Sequence, residues 1–195
     1  MVALANIYRR FNASRRGVAA VEFAIIIPVL LLLFLASFDA ANAIAVYMKV
    51  RSATFTLASI TNQYTTSTNG IQSTDMTAIT GSTAAVLAPY SSTPVVVTIS
   101  EIKATSASNA AVSWSYSLNG TAYAKGALWT TLPAQFTTTN ACNSYPCYLI
   151  FAEVSYKYTP SFGYFVTGPI TLSDNLYVTP RSSVCIQYNS LPGTC

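Results

Sequence analysis

Residues 18–38 read VAAVEFAIIIPVLLLLFLASF, and Glu22 is the only ionisable side chain in this stretch. At ~1.5 Å of rise per residue, a helix of this length crosses a hydrocarbon core about 30 Å thick. The flank before it is basic and contains four arginines, Arg9, Arg10, Arg15 and Arg16. Because basic flanks stay in the cytoplasm, the sequence predicts a single-pass membrane protein with a cytoplasmic N-terminus and an exported C-terminal part.

The helical pattern continues past the apolar stretch, whose outer exit is marked by Asp39 and Asn42. Six residues recur at spacings of three and four, as on one stripe of an amphipathic helix: Val46, Val50, Ala53, Leu57, Ile60 and Tyr64. We therefore predict one helix over residues 18–65, with its first half in lipid and its second half packed on a globular domain. Pro28 lies inside this helix and is predicted to kink it.

The remaining sequence predicts a short helix followed by strands. The helix is expected at residues 74–87, with Ser73 as its cap and Pro89 beyond its end. Four segments rich in β-branched and aromatic residues are predicted strands: Pro94–Ala104, Ala111–Asn119, Tyr148–Tyr158 and Ile170–Val178. The predicted fold class is α+β, in which a membrane-spanning spine helix and a short helix pack on a mainly antiparallel sheet. The expected division of the chain is a basic leader at 1–17, the spine helix at 18–65 and an exported head domain at 66–195.

Composition narrows the range of functions. Only 8% of the residues are charged, against about 25% in a typical soluble domain, and the chain beyond the apolar stretch is rich in Ser, Thr, Asn and Tyr. The formal net charge of +4 comes from the four arginines before Gly17, since the other six basic residues balance six acidic ones. A nucleic-acid-binding protein needs a basic patch on its folded surface, so nucleic acid is not an expected partner.

The sequence also argues against an enzyme. It contains no histidine, which removes the commonest general base and the commonest metal ligand. Lys103, Lys125 and Lys157 are scattered, and no Ser or Thr stands beside a base that would activate it as a nucleophile. We expect neither catalytic residues nor a cofactor nor a metal site.

The four cysteines lie in the last third of the chain, at Cys142, Cys147, Cys185 and Cys195. The spacing of the second pair does not fit the short knuckles of structural zinc sites, and an even number of cysteines in an exported chain indicates disulfides. Four cysteines allow three pairings. We favour Cys142–Cys147 with Cys185–Cys195, because each closes a short loop that contains a proline. The rival pairing joins Cys147 to Cys185 if the strands beside them are antiparallel neighbours.

The residues at the start of the apolar stretch form a motif. Two arginines precede Gly17, and Glu22 follows it five residues later. The pattern resembles the site at which a prepilin peptidase cuts, here between Gly17 and Val18, since a residue without a side chain lets the backbone extend into a protease cleft. An ionisable group in a membrane helix is costly and indicates a function, so we expect Glu22 to pair with the new amine of a neighbouring subunit. The alternative is a glutamate at the headgroup level of an ordinary anchor.

The segment RRGVAAVEFAIIIPVLLLLF, residues 15–34, resembles the N-terminus of the TadE-like family, which are minor pseudopilins of the tight-adherence (Flp-type) pilus system. The features that match the family are Gly17, Glu22, Phe23 and Pro28. Two later stretches, VSYKYTP at residues 154–160 and YVTPR at 177–181, resemble the family as well.

This resemblance implies a pilin-like fold and a role for Glu22 and Phe23 in assembly. It also implies a small subunit of the bacterial inner membrane with a periplasmic or extracellular C-terminal domain. Such a subunit would initiate or support assembly of a thin pilus and could enter the pilus itself. Its expected partners are membrane lipid, other pilin or pseudopilin subunits, a prepilin peptidase and the inner-membrane assembly platform. A head domain of this size implies a minor rather than a major subunit.

Two alternatives follow from other features of the sequence. Residues 41–43 read ANA, an A-x-A pattern, so signal peptidase could cut before Ile44. The chain could also be an uncleaved single-pass membrane protein whose periplasmic or surface head binds a ligand or acts as an adhesin. Trp114, Trp129 and the 13 tyrosines would then form an aromatic face, whereas such residues more often pack a sheet.

Overall fold

The computed structural model describes residues 16–64, 70–93, 95–106, 108–130, 132–133, 144–162 and 168–189. The spine helix α1 spans Arg16–Thr61 and is followed by a short helix, α2, at Ser73–Leu87. The strands within the described ranges are β1 Val95–Ala104, β2 Ala110–Leu118, β3 Cys147–Tyr158 and β4 Ile170–Val178. They form one antiparallel sheet in the order β2-β1-β3-β4. The predicted α+β fold with a spine helix, a short helix and an antiparallel sheet is therefore confirmed.

The chain divides into two compact units. The first, which we call the anchor unit, comprises Met1–Ala43 and Pro160–Gly168. The second, the head unit, comprises Ile44–Thr159 and Pro169–Cys195.

Helix α1 is continuous over 46 residues and ends at Thr61, before the predicted end at residue 65. It ends there because the backbone tightens into a turn, in which the Gln63 N–H donates to the Ile60 carbonyl at 3.3 Å. The side chains that belong to the predicted stripe are fully buried at four positions: Val46, Val50, Ala53 and Leu57. Burial of one aliphatic side chain contributes roughly 1.5–3 kcal/mol, so this stripe is a major part of the core of the head unit.

Helix α2 begins one residue earlier than predicted, and the predicted cap is wrong. Gln72 occupies the N-cap position, and Ser73 is the first helical residue. The Gln72 N–H donates to Asp75 Oδ2 at 3.0 Å, which is the carboxylate half of a capping box. Ser73 instead donates its backbone N–H to Asn189 Oδ1 at 3.1 Å, so the start of α2 is tied to a residue near the end of the described chain.

The sheet carries one β-bulge beside a buried acidic residue. Glu101 of β1 is paired with Trp114 of β2, but the next residue, Ile102, is paired with Val112. Ser113 is therefore the extra residue of β2. A bulge increases the local twist of a sheet and redirects the side chains around it, and this one lies where Glu101 is buried.

Side chains alternate between the two faces of the sheet, and both faces are covered in part. On β1, Val97, Ile99 and Glu101 share one face and are fully buried. A second apolar cluster lies on the opposite face, and its members from β1 and β3 are Ile102, Ala104, Cys147, Leu149 and Phe151. The sheet therefore has a second apolar core on this opposite face, and Trp129 and Tyr177 pack against it.

Residues 181–189, which follow β4, form a closing segment that binds the ends of both helices. The Arg181 N–H donates to the Asn62 carbonyl at 3.0 Å, just after α1. The Ile71 N–H donates to the Gln187 carbonyl at 2.8 Å, just before α2. The chain therefore returns from the last strand to the junction between the two helices.

Gly70 permits the close approach at this junction. Its φ of 70° lies in the left-handed region that side chains disfavour. A Cβ added to Gly70 would also overlap the backbone carbonyl of Gln187. Only glycine meets both conditions.

Candidate functional site

The first half of α1 presents an apolar surface. Most of its large side chains over residues 18–38 are exposed, and their exposed fractions run from 41% at Ile27 to 68% at Ile25. So extended an apolar surface is unfavourable in water and suited to lipid. Among the described residues, α1 is the one helix long and apolar enough to cross a membrane. This agrees with the predicted membrane anchor, while the orientation of the chain stays a prediction.

The residues predicted to act in processing and assembly lie on the first turns of α1. Gly17, Val18, Glu22 and Phe23 are all exposed, and a Cβ added to Gly17 would meet no atom within 4 Å. Val18 and Glu22 are four residues apart and therefore share one face of the helix. All four positions are accessible to another protein. Cleavage at Gly17 and pairing of Glu22 stay predictions.

Pro28 lies inside α1, and the helix continues on both sides of it. The proline nitrogen carries no hydrogen, so the carbonyl of Ala24 lacks its usual helical partner. Membrane helices tolerate such a position. The predicted kink stays a prediction.

The outer end of the apolar stretch binds the loop between β3 and β4, within the anchor unit. The Asp39 carboxylate accepts hydrogen bonds from the N–H of Ser161, at 3.2 Å to Oδ1, and from that of Phe162, at 3.3 Å to Oδ2. The rings of Phe38 and Phe162 meet edge to face with centroids 5.7 Å apart. Asp39 was expected only to mark the exit from the apolar stretch, and in the structure it also fixes this loop.

Two of the four cysteines lie in the described part of the chain. Cys147 begins β3 and Cys185 lies in the closing segment, and both are buried and disulfide-bonded. Cys142 and Cys195 lie outside the described residues. Because β3 and β4 are antiparallel neighbours, the condition for the rival pairing is met, and the choice of partners stays a prediction. Among the described residues, no group of three His, Cys, Asp or Glu side chains could hold a metal ion.

An aromatic cleft of about 580 Å³ lies over the second apolar cluster. Its walls include the rings of Tyr123, Trp129, Phe151 and Tyr177. Successive rings meet at centroid distances of 5.0, 4.8 and 4.8 Å. The Trp129 Nε1–H donates to Tyr177 Oη at 3.0 Å, and the Tyr123 hydroxyl donates to Glu153 Oε2 at 3.2 Å. The cleft thus combines aromatic faces with oriented polar groups.

The electrostatics of the cleft favour neutral phenols. Burial raises the pKa of Tyr123 and of Tyr177, and the Glu153 charge raises both further. Both hydroxyls therefore stay protonated at neutral pH and can donate hydrogen bonds. Of the two tryptophans that could form an aromatic face, Trp129 lines this cleft, whereas Trp114 is only 2% exposed and packs in the core.

Glu101 is fully buried in the head unit. The Ile186 N–H donates to its Oε1 at 2.6 Å, while Oε2 is buried and has no hydrogen-bond partner among the described residues. Burial raises the pKa of the Glu101 carboxyl to about 7, and the polar groups of Ile186, Ser113 and Trp114 and the charge of Lys103 oppose this shift only in part. A group that titrates near neutral pH therefore links β1 to the closing segment.

Sequence reasoning missed Glu101, although a signal for it existed. Val95, Val97 and Ile99 alternate with polar or half-buried neighbours, and the same period of two places Glu101 on their buried face. The partners of Asp39 had no such local signal, because Ser161 is 122 residues away along the chain.

The fold and the exposed helix together define a class: an α+β protein whose N-terminal helix is long and apolar enough to anchor it in a membrane. A comparison with protein families matches residues 17–58 to the TadE-like protein family. The resemblance stated from the sequence is confirmed over those residues, which include Gly17, Glu22, Phe23 and Pro28. Comparisons with curated proteins and with solved structures gave no match.

Proposed function

We propose that this protein is a minor, pseudopilin-type subunit that takes part in the assembly or initiation of a thin, tight-adherence pilus. The observation that carries the proposal is the match of residues 17–58 to the TadE-like family. That segment contains the exposed apolar half of α1 and the buried stripe that packs in the head unit. The family match therefore covers both the apolar half of α1 and the half that packs in the head unit, which supports a role in this pilus system.

The proposed maturation begins at the inner membrane. A prepilin peptidase cuts between Gly17 and Val18 on the cytoplasmic side, and the head is exported. The exposure of Gly17 and the open space around its Cα support access by the peptidase. Removal of residues 1–17 would also remove all four arginines of the leader, leaving an apolar helix with an amine at its tip.

The proposed assembly step uses Glu22 and Phe23. A carboxylate in lipid is costly, and the new amine of a neighbouring subunit would neutralise it. Phe23 is 62% exposed and would pack against the helices of neighbouring pilin or pseudopilin subunits. The inner-membrane assembly platform would then receive these subunits as a bundle of helices in a register fixed by the Glu22 pair.

Intact-mass measurement of the protein from membranes tests the proposal. We expect a mature chain that begins at Val18, and we expect Gly17→Leu to block its formation. Gly81→Leu is a matched control, because a side chain at this glycine of α2 would also meet nothing within 4 Å. It should be processed normally. A mature chain that begins at Ile44, or one that retains Met1, would refute the proposed maturation.

A second candidate is an uncleaved single-pass membrane protein with a ligand-binding or adhesin head. The observation that favours it is the aromatic cleft, whose rings lie beside the hydroxyl of Tyr177 and the amide of Asn175. Aromatic faces with a few polar groups suit an uncharged sugar. An intact Met1 together with saturable glycan binding that Trp129→Leu abolishes would favour this candidate over the pseudopilin.

A further inference from the structure

The loop between β3 and β4 brings an exposed aromatic ring to the outer end of the apolar stretch. Phe38 is 47% exposed and Phe162 is 44% exposed, although their rings touch. The two rings therefore form an aromatic pair that still presents about half of its surface.

The position of this pair along α1 fixes its depth. Asp39 is the first ionisable residue after Glu22, so the apolar stretch ends at Phe38. With ~1.5 Å of rise per residue, Phe38 and Asp39 lie within one residue of the boundary between acyl chains and headgroups. Apolar aromatic rings are favoured on the acyl side of that boundary.

The hydrogen bonds of the loop suit the same depth. Backbone N–H groups at a poorly hydrated interface cost free energy unless they have partners. The N–H groups of Ser161 and Phe162 both donate to the Asp39 carboxylate. Asp39 therefore satisfies these two N–H groups and holds Phe162 beside Phe38.

We propose that the Ser161–Phe162 loop is a second membrane-contact site, in which Phe162 and Phe38 insert at the headgroup–acyl boundary of the outer leaflet and Asp39 holds the loop in place. Its occupant is lipid, because the pair is continuous with the exposed apolar surface of α1, where Phe34 is 67% exposed. The inference rests on the proposed membrane span of α1 and does not depend on the pilus role.

Depth-dependent fluorescence quenching tests this site. The full chain carrying Phe162→Trp is reconstituted in phosphatidylcholine vesicles whose lipids are brominated at a shallow or a deep acyl position. The parent, with Trp114 and Trp129, supplies the background. We expect bromines at the shallow position to quench the added tryptophan emission more strongly than bromines at the deep position. Aqueous iodide should quench it little.

Four further variants calibrate the measurement. Phe34→Trp, within the apolar stretch, should be quenched by deep bromines. Leu128→Trp, at a residue of the head unit that is 72% exposed, should be quenched by iodide alone. In the Phe162→Trp background, Asp39→Ala should weaken the lipid quenching, whereas Asp39→Asn keeps one acceptor oxygen and should retain most of it.

The possible results separate the hypotheses. Iodide quenching of Phe162→Trp without lipid quenching overturns the contact site while leaving the span intact if Phe34→Trp is quenched by lipid. Protection from both quenchers also overturns it, because a second copy of the chain would then cover the ring. Failure of Phe34→Trp to respond to lipid overturns the span, and with it both this inference and the proposed function.

Discussion

The carboxylate of Glu101 accepts a hydrogen bond from the backbone N–H of Ile186 at 2.6 Å. The backbone carbonyl of Ile186 accepts a hydrogen bond from Trp114 Nε1, also at 2.6 Å. Ile186 is therefore held through both of its backbone polar groups by two side chains that face each other across β1 and β2. One of these two bonds depends on a carboxyl group that titrates near neutral pH.

The free energy of unfolding of the head unit should therefore fall as the pH rises from about 4.5 to about 7. The folded pKa of Glu101, about 7, exceeds its ordinary value of 4.5, so between these values the folded state binds more protons than the unfolded state. The free energy of unfolding then decreases from about pH 4.5 to about pH 7 and levels off above it, and the full shift corresponds to ~3 kcal/mol.

Glu101→Gln should remove this dependence, because an amide of the same shape keeps an acceptor for Ile186 and carries no charge. The variant should match the parent near pH 5 and exceed its stability at pH 8. Urea unfolding of the full chain in detergent, followed by tryptophan emission at several pH values, measures both. If the free energy of unfolding of the Glu101→Gln variant changed with pH as steeply as that of the parent, the pH dependence would come from another group.

Gly70→Ala should destabilise the head unit by about 2–4 kcal/mol, since it combines a left-handed φ with an overlap against the backbone of Gln187. The matched control is Gly81→Ala, an exposed position within α2 where the added methyl meets nothing. It should stabilise the head by about 0.5–1 kcal/mol, because alanine favours the helix. Thermal unfolding of both variants checks the pair, and equal effects would contradict the strain assigned to Gly70.

Glu22→Ala should leave membrane insertion intact and reduce piliation by about tenfold or more, the effect of losing ~1.4 kcal/mol from each subunit contact. Glu22→Asp keeps the charge on a shorter side chain and should retain part of the function. Membrane fractionation and counts of pili by electron microscopy measure the two effects separately. Normal pili in the alanine variant would show that Glu22 is an ordinary headgroup-level residue.

The cysteines should be linked as Cys142–Cys147 and Cys185–Cys195. Both loops are short, so loss of either disulfide should cost only about 2–3 kcal/mol. Peptide mapping under non-reducing conditions identifies the pairs directly. A peptide that joins Cys147 to Cys185 would support the rival pairing, and four free thiols would argue against export to an oxidising compartment.

The sequence was most informative where local chemistry controls structure. Each strand was predicted to within one residue at both ends, because β-branched and aromatic residues alternate up to clear turn signals. The buried stripe of α1 followed from its spacing in the same way. The cap of α2 was missed because Gln72 and Asp75 act as a pair, whereas Ser73 has the stronger intrinsic preference for the position.

Long-range relationships could not be predicted from local pattern. The order β2-β1-β3-β4 places β3 beside β1, although a long connection separates them in sequence. The burial of Glu101 depends on Ile186, which is 85 residues further along the chain. For the candidate site the sequence supplied Gly17, Val18, Glu22 and Phe23, but the contact between Asp39 and the Ser161–Phe162 loop needed three-dimensional structure.

The closing segment constrains the order of events during biogenesis. Its residues contact Asn62, Ile71, Trp114 and Glu101, yet they leave the ribosome after both helices and the whole sheet. During synthesis these groups are therefore present before the residues that bind them. The hydrogen bonds that Glu101 and Trp114 make with Ile186 can form only once residue 186 is present, so this part of the core of the head unit is completed after every strand of the sheet has been synthesised.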